Sequence, residues 1–273
     1  MKLLKEVIKL NKPTDSFLFA FIGDPHPGDK NFDEARMWKS AKTIVSLSRR
    51  TPVYVFVMGD LANAVISHPD EKRMDYDEMD RDRLTIGEQY AASEDVLKYI
   101  ASNLKKGHIV VILCGNHDEK LRKRCTFNFV QNLAKAVGAP YGGYNALVTF
   151  EFIFKNGQKR TYKIYVTHGS HAPRTVASKL NACLALENVA VADAYAMGHH
   201  HIKFYYPKTL IASEGGEMKE VTRDFILTGS YLRGYPKGAS STYVEQAAMP
   251  PTTLGGMALR SWPVSGKRES MEI

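Results

Sequence analysis

Five short apolar runs of this chain each end in a cluster of Asp, His or Asn residues, and this pattern constrains the fold more than any other feature. The runs are Phe17–Ile22, Val53–Met58, Ile109–Cys114, Tyr162–Val166 and Ala194–Met197. Runs of this length, rich in aliphatic and aromatic residues and bounded by turn residues, are typical of buried strands. Because open α/β sheets bind ligands at the carboxyl ends of their strands, we expect the polar clusters to meet at one edge.

The residues in these clusters are of the types that bind divalent metal ions. The clusters are Asp24-Pro25-His26, Gly59-Asp60, Gly115-Asn116-His117-Asp118, Thr167-His168-Gly169 and Gly198-His199-His200-His201. A site for two ions needs carboxylate oxygen, imidazole nitrogen and a bridging ligand. Each motif alone is common by chance, but the ordered combination predicts a binuclear site. Its candidate ligands are Asp24, His26, Asp60, Asn116, His168, His199 and His201.

Local spacing suggests how these side chains converge. Asp24 and His26 are two residues apart, and an extended segment would place both side chains on one side of the chain. His199 and His201 repeat this spacing, which leaves His200 pointing away in a structural role. Asp60 follows Gly59 at a sharp strand exit, where its carboxylate can bridge two ions.

Composition fits a single globular domain that spans residues 1–273. The chain is 44% hydrophobic and 24% charged, and its three cysteines, which we interpret as packing residues, lack paired spacing. No apolar run approaches the roughly 18 residues that span a bilayer, and charge interrupts the N-terminal residues too early for a signal peptide. We therefore expect a soluble cytoplasmic protein with no membrane partner. Its core covers about 17–230, and residues 231–273 form a final strand and an extended arm.

Periodic apolar residues predict four helices between the strands. The first begins near Asp33 or Glu34, and the other three cover about 86–104, 130–137 and 176–184. The sequence Asn156-Gly157 predicts a hairpin between strands at 147–154 and 160–166, because Asn-Gly favours tight turns. Together these elements predict two packed sheets with helices outside, and the polar stretch at 70–83 predicts an insertion over the mouth of the crevice.

The charge balance favours a polyanionic partner. The formal net charge is +8 and the sequence pI is about 9.2, and a positive surface steers phosphate-bearing ligands. The densest basic group, Lys120-Leu121-Arg122-Lys123-Arg124, directly follows the Asn-His-Asp motif. Two interpretations of it stay open: a solvated helix face, or a rim that binds a nucleic-acid backbone.

The order of the motifs over about residues 17–230 resembles that of the calcineurin-like metallophosphoesterase superfamily. The resemblance implies a four-layer α/β/β/α sandwich with the binuclear metal site at the strand ends. It further implies that Asp60 bridges the two ions, that His117 is the catalytic acid and that Asp118 orients His117. The first ion would be held by Asp24, His26, Asp60 and His201, and the second by Asp60, Asn116, His168 and His199.

The reaction that this resemblance implies is in-line attack on phosphorus by a metal-bound hydroxide. Manganese is the expected metal, although Fe, Zn and Ni also accept mixed nitrogen and oxygen ligands. Arg174, which follows the His168 loop, is a candidate phosphate contact, and Arg122, Lys123 and Arg124 are candidate contacts to a polymer. The stretch 59–64 lacks the Asp-Arg-Gly of protein phosphatases and is more similar to the phosphodiesterase and DNA-repair exonuclease branches.

These observations favour a nuclease-like enzyme that acts on DNA or RNA, but they leave alternatives. A small-molecule phosphodiesterase or a phosphomonoesterase would use the same metal ligands. A non-catalytic binding or scaffold protein could share the fold, and the completeness of the ligand set argues against it. The shape of the pocket would distinguish a polymer from a small substrate.

Overall fold

The computed structural model describes residues 1–12, 14–64, 79–171, 173–235, 242–246, 248 and 250–273, and there the chain forms two sheets flanked by helices. The strands are β1 (Lys2–Lys9), β2 (Phe17–Ile22), β3 (Val53–Val57), β4 (Gly107–Leu113), β5 (Tyr141–Gly143), β6 (Asn145–Ile153), β7 (Lys159–Thr167), β8 (Ala194–Met197), β9 (Lys203–Glu214), β10 (Glu217–Thr228), β11 (Met257–Ser261) and β12 (Arg268–Glu272). The helices are α1 (Glu34–Ser48), α2 (Ile86–Asn103), α3 (Asn116–Cys125), α4 (Phe129–Ala136), α5 (Val176–Leu184) and α6 (Tyr243–Gln246), and a short 3₁₀ helix covers Ala185–Asn188.

The strands form two six-stranded sheets that both contribute to the motif-bearing edge. Sheet I has the order β12-β11-β2-β3-β4-β5, and sheet II has the order β1-β6-β7-β8-β10-β9. Strands β2, β3 and β4 are parallel neighbours in sheet I, and β7 and β8 are parallel neighbours in sheet II. The carboxyl ends of three strands of one sheet and two of the other therefore carry the five motifs.

Three layers of apolar side chains separate four layers of secondary structure. One core packs β2, β3 and β4 against α1, α2 and α4. A second lies between the two sheets, and a third packs sheet II against α5 and the 3₁₀ helix. This arrangement confirms the expected α/β fold, a four-layer α/β/β/α sandwich.

Strand β2 shows why its sequence forms a central strand. Leu18 and Ala20 belong to the core under the helices, whereas Phe17 and Phe19 belong to the core between the sheets. The rings of Phe19 and Phe150 lie 4.8 Å apart, centroid to centroid, across the sheet interface. A strand buried on both faces needs a continuous apolar run rather than alternation, and β2 has one.

The four predicted helices are present as α1, α2, α4 and α5. Asp33 caps α1 through its carboxylate, and Thr85 and Glu88 form a reciprocal capping box at the start of α2. The apolar stripe that predicts α5 consists of Val176, Leu180, Cys183 and Leu184, but Val176 is 48% exposed. Lys179, which is outside that stripe, is buried together with Cys183.

The sequence patterns missed several edge elements. The described part of 231–273 contains two strands, β11 and β12, rather than one strand and an arm, and β11 extends sheet I by pairing antiparallel to β2. Strand β1 and the long β9–β10 hairpin were not predicted either. In the predicted hairpin between β6 and β7, Gly157 takes a positive φ of 82° and its N–H donates to the Phe154 carbonyl.

Part of the predicted insertion at 70–83 lies outside the described residues, which resume at Met79. Met79 forms an isolated bridge with Asp29, and the Asp80 N–H donates to the Gly28 carbonyl at 3.0 Å. The chain thus returns beside the loop that follows β2. Among the described residues, no helix is long and apolar enough to cross a membrane.

Candidate metal centre

Hydrogen bonds from backbone N–H groups connect loops that carry the motifs. The Asp24 N–H donates to the Gly59 carbonyl at 2.9 Å, which couples the loops after β2 and β3. The His199 N–H donates to the Asp24 carboxylate at 3.0 Å, which couples sheet II to sheet I. A side chain at Gly115 would come within 2.0 Å of Asp60 Oδ1, so glycine is required where α3 begins.

The first metal-ligand cluster contains Asp24, His26 and His201. Their candidate ligand atoms all lie within 4.8 Å of one another. His201 Nε2 is 3.5 Å from Asp24 Oδ1, and His26 Nε2 is 3.2 Å from His201 Nε2. At this distance either one nitrogen donates its N–H to the other, or both present lone pairs to a cation, and the second arrangement fits a metal ion.

The second metal-ligand cluster contains Asp60, His168 and His199, again within 4.8 Å of one another. His168 Nε2 lies 3.3 Å from Asp60 Oδ2 and 3.0 Å from the side-chain oxygen of Asn116. Asp60 also faces the first cluster, because its Oδ2 is 3.6 Å from His26 Nε2. The structure thus brings together all seven predicted ligands, with Asp60 between the two clusters.

Hydrogen bonding prepares His168 to bind a cation. Its Nδ1 is 2.8 Å from the Met58 carbonyl, which can only accept, so Nδ1 carries a proton. Nε2 then points toward the Asp60 carboxylate and is the nitrogen that could coordinate a cation once its own proton is displaced. Metal-ligating histidines commonly have this arrangement, in which a backbone carbonyl fixes the tautomer.

Electrostatics show that the centre attracts positive charge. Burial opposes ionisation of His168, but the charge and hydrogen bond of Asp60, together with Asp24, raise its pKa to about 10. Burial also opposes ionisation of Asp60, yet the charges of His168 and His117 hold its pKa well below its usual value. Without a metal, a proton on His168 therefore compensates the carboxylates, and a divalent ion would displace that proton.

Other histidines of the centre are held neutral, as metal binding requires. Burial, followed by the charge of His117, lowers the pKa of His26 well below its usual value. Burial and then the charge of His168 lower the pKa of His199. Imidazole nitrogens, carboxylate oxygens and one amide oxygen together fit divalent transition metals.

The backbone is strained at most of the candidate ligands. Left-handed φ angles occur at Asp24 (54°), His26 (51°), Asp60 (50°), His199 (64°) and His201 (55°). Such a conformation costs a non-glycine residue roughly 1–3 kcal/mol and is concentrated at functional sites. The expectation of an extended Asp24–His26 segment was therefore wrong, because these residues turn sharply to bond across the loops.

His117 lies where the two clusters adjoin. Its ligand atom groups with those of His26 and Asp60 within 4.8 Å, and its ring stands perpendicular to that of His26, with centroids 4.7 Å apart. Its backbone N–H donates to Asp60 Oδ1 at 2.9 Å. Its Nδ1 is 2.6 Å from the Asn63 carbonyl, which can only accept, so Nδ1 carries a proton.

Asp118 does not have the geometry expected of a residue that orients His117. Its two carboxylate oxygens accept hydrogen bonds from the backbone N–H groups of Leu61 (3.0 Å) and Gly115 (2.9 Å). Burial and then the charge of Asp60 raise its pKa to about 7. Asp118 thus ties the loop after β3 to the start of α3, and the Asn63 carbonyl orients His117 instead. A backbone contact of this kind leaves no signature in the sequence.

His200, predicted to point away from its neighbours in a structural role, is buried, whereas His199 and His201 are partly exposed. It is 2% exposed, and its carbonyl accepts a hydrogen bond from the buried Lys179 ammonium at 2.9 Å. Burial, followed by the charge of His199, lowers its pKa to about 4. The sequence patterns did not predict the contact from Lys179.

The predicted substrate-binding residues lie outside the two clusters. Arg122, Lys123 and Arg124 occupy the exposed last turn of α3. Glu119 pairs with Arg122 (Nε–Oε2 2.7 Å) and lies 3.8 Å from the Lys123 ammonium. Arg174 is exposed and precedes α5, near a shallow cavity of about 660 Å³ that Ser170, His171 and Met197 help to line.

Three solved structures match the chain over most of its length at low sequence identity. Vps29 of Entamoeba histolytica, complexed with zinc, is 14% identical with a TM-score of 0.35, and 94% of this chain matches 98% of that one. GAP50, described as the anchor in the inner membrane complex of Plasmodium, is 12% identical with a TM-score of 0.47, and the match covers 95% of this chain and 84% of GAP50. A metallophosphoesterase from Sphaerobacter thermophilus is 11% identical with a TM-score of 0.40, and the match covers 94% of this chain and 88% of that one.

Sequence comparison identifies the family. No curated protein matches the chain significantly. A sequence model of the calcineurin-like phosphoesterase family matches residues 17–203, the stretch that carries β2 through the third histidine of the Gly198–His201 motif. With the matched region and the two metal-ligand clusters in agreement, the chain belongs to the calcineurin-like phosphoesterase family.

Proposed function

We propose that this protein hydrolyses phosphodiester bonds, with a nucleic-acid backbone as substrate. Family membership supports a metal-dependent phosphoesterase. The observation that carries the proposal is the pair of adjoining metal-ligand clusters, with Asp60 facing both and His117 at their border. The two clusters would hold two divalent ions, with Mn²⁺ the first choice and Fe, Zn or Ni the alternatives.

The ions and the protein would contribute different parts of the chemistry. When bound, two divalent ions supply Lewis-acid activation of water and neutralise charge on the phosphoryl oxygens. The protein holds the clusters in fixed positions, through strained loops and backbone hydrogen bonds between the sheets. Such preorganisation keeps the charged groups from having to rearrange during the reaction.

His117 would act on the leaving group. Its Nδ1–H is held by the Asn63 carbonyl, so Nε2 is the nitrogen that can exchange a proton with the substrate. In the imidazolium form, Nε2–H can donate a proton to the departing ester oxygen as the bond to phosphorus breaks. The neutral Nδ1–H tautomer then remains, still bonded to the same carbonyl.

A polymer substrate is favoured by charge, and a small diester is the second candidate. The net charge of +8 and the basic last turn of α3 favour contacts to several phosphates. However, Glu119 pairs with Arg122 and Lys123 and so reduces the positive charge that they offer. Because this pairing weakens the case for a polymer, a small-molecule phosphodiester is the second candidate substrate.

A substrate panel with Mn²⁺ tests the proposal. It would compare bis-p-nitrophenyl phosphate, p-nitrophenyl phosphate, single-stranded and duplex DNA, RNA and cyclic nucleotides. We expect the diester to be hydrolysed faster than the monoester, and at least one nucleic acid to be cleaved. Turnover of small esters without nucleic-acid cleavage would select the second candidate. Metal-loaded protein that hydrolyses none of them would point to a binding role.

Chelation tests the requirement for metal. Exhaustive removal of metal, confirmed by elemental analysis, should reduce diester hydrolysis to background, and added Mn²⁺ should restore it. Activity that persists at near-zero metal content would overturn the proposed mechanism. The restored activity should also follow the number of ions bound, with two per chain at saturation.

A further inference from the structure

A single peptide group lies between His117 and a buried glutamine of α2. The carbonyl of the Asn63–Ala64 peptide is 2.6 Å from His117 Nδ1. The N–H of the same peptide donates to Gln89 Oε1 at 3.1 Å. The two ends of one peptide dipole therefore connect α2 to the proposed catalytic acid.

The orientation of the Gln89 carboxamide is fixed on both sides. Its Nε2 donates to the Arg83 carbonyl at 3.2 Å, so its Oε1 must be the atom that faces the Ala64 N–H. The side chain is 0% exposed. A Cβ added at Gly28 would come within 2.3 Å of Nε2, which shows how closely that loop packs against the amide.

The peptide itself is held in a conformation that it would not adopt without support. Ala64 has a left-handed φ of 55°, a strained value for alanine. The Asn63 N–H donates to the Pro27 carbonyl at 2.9 Å, which holds the residue before the peptide. The hydrogen bond from Ala64 to Gln89 holds the peptide plane itself. If this plane turned over, an N–H rather than a carbonyl would face His117 Nδ1.

We infer that Gln89 is a positioning residue that sets the tautomer of His117 through the Asn63–Ala64 peptide. Gln89 holds the peptide N–H, the carbonyl then faces His117, and the carbonyl requires the proton on Nδ1. His117 Nε2 is thereby kept as the nitrogen that exchanges a proton at the metal centre. The structural part of this inference stands on the hydrogen bonds alone, whereas its kinetic consequence rests on the proposed function.

The direct test is the tautomer of His117 in Gln89→Met, which removes both side-chain hydrogen bonds at similar volume. Imidazole ¹⁵N NMR of the diamagnetic Zn²⁺-loaded protein distinguishes the two neutral forms, and the His117 signals are identified by their loss in His117→Asn. We expect the Nδ1–H form in the wild type and a mixture of both forms in Gln89→Met. This measurement does not require enzymatic activity, so it tests the role of Gln89 even if the proposed function is wrong.

The kinetic test compares two diesters that differ in the leaving group. Gln89→Met should lower kcat about 10-fold or more for a diester with an alkoxide leaving group, and clearly less for bis-p-nitrophenyl phosphate, because a nitrophenolate needs little protonation. Metal content should stay at the wild-type value. An equal fall for both substrates would show that Gln89 only supports the fold.

Two further variants separate positioning from stability. Ser93→Ala removes a buried hydrogen bond from the same helix to the Leu61 carbonyl, which precedes the relevant peptide, and should keep the wild-type tautomer and the wild-type ratio of the two rates. Gln89→Glu, protonated when buried, retains an acceptor for Ala64 and a donor for Arg83, and should restore the Nδ1–H form. A wild-type tautomer in Gln89→Met, or a mixed one in Ser93→Ala, would overturn the inference.

Discussion

Asp60 and Asp224 are both buried carboxylates, but the groups around them are of opposite kinds. Asp224 is 0% exposed and accepts hydrogen bonds from Tyr162 Oη (2.9 Å), Tyr205 Oη (2.8 Å) and the Arg268 guanidinium (2.7 Å). Burial and then the charge of Asp224 raise the pKa of Tyr162 well above its usual value, so the phenol remains a donor. Asp224 is thus neutralised and satisfied by the protein itself.

Asp60 has one backbone donor, and two imidazole nitrogens lie near its carboxylate. The His117 N–H donates to it, while the nitrogens of His26 and His168 lie 3.6 Å and 3.3 Å away. Imidazoles compensate a buried carboxylate only when they are protonated, or when a cation lies between the groups. Because both carboxylates are buried, it is their partners, and not their burial, that distinguish a structural site from a cation site.

The largest expected effect is that of Asp60→Asn on activity. Loss of the carboxylate that faces both clusters should reduce the occupancy of both ions and bring diester hydrolysis near background. The metal-free protein should lose less stability than Asp224→Asn does, because His168 can release its proton once its partner carboxylate is gone, whereas the Arg268 guanidinium stays charged. Elemental analysis, initial rates and denaturant unfolding in a chelator measure the three quantities. Retention of two ions per chain would contradict the bridging role.

His117→Ala sharpens the distinction between metal binding and acid catalysis. Turnover should fall on the order of 10²–10⁴-fold, because proton donation to the leaving oxygen is lost. Metal content should remain near the wild-type value, since the remaining ligands are intact. The loss should be smaller for bis-p-nitrophenyl phosphate than for a diester with a poor leaving group. If His117→Ala loses metal as readily as Asp60→Asn, then His117 is a ligand and not the acid.

Asp224→Asn tests the other half of the comparison. It leaves the Arg268 charge without its partner, and breaking such a buried pair should lower the free energy of unfolding by roughly 3 kcal/mol. Metal content and kcat should remain close to wild type at temperatures where the variant is folded. Urea unfolding in chelator, measured beside Asp60→Asn, gives the contrast directly. A larger stability loss in Asp60→Asn than in Asp224→Asn would reverse our assignment of structural and cation sites.

Sequence patterns predicted the strand-end clusters because both signals are local. Apolar runs such as 17–22 and 53–57 bury both faces and so need no partner information to be recognised. The residues that follow each run then lie at the strand end by simple chain continuity. The order of all five motifs along the chain predicts that His168 and Asp60 meet across the two sheets. No single motif predicts this contact.

The remaining features depend on contacts that the chain makes far from each residue. The Asn63 carbonyl orients His117 and the Asp118 carboxylate binds backbone N–H groups, and neither contact depends on a recognisable side-chain pattern. Strand β1 pairs with β6 more than 140 residues away along the chain, as in Lys2 with Ala146. Such pairings are set by tertiary packing, which outweighs local preference at sheet edges.

The smallest expected effect concerns the basic last turn of α3. Changing Arg122, Lys123 and Arg124 together to Ala should weaken nucleic-acid binding several-fold and flatten its salt dependence. Each lost phosphate contact removes about 0.7–0.9 from the slope of log affinity against log salt concentration. Because Glu119 pairs with Arg122 and Lys123, the slope should change by about one to two contacts rather than three.

A matched control distinguishes a local interface from overall charge. Changing Lys39, Lys42 and Arg50 to Ala removes the same charge from exposed positions in and just after α1, on the helical layer that covers sheet I. It should leave the slope nearly unchanged, since long-range charge is screened beyond about 10 Å at 0.1 M salt. Hydrolysis of bis-p-nitrophenyl phosphate should be the same in both variants. Equal changes in slope would mean that net charge, and not the turn beside the metal centre, attracts the polymer.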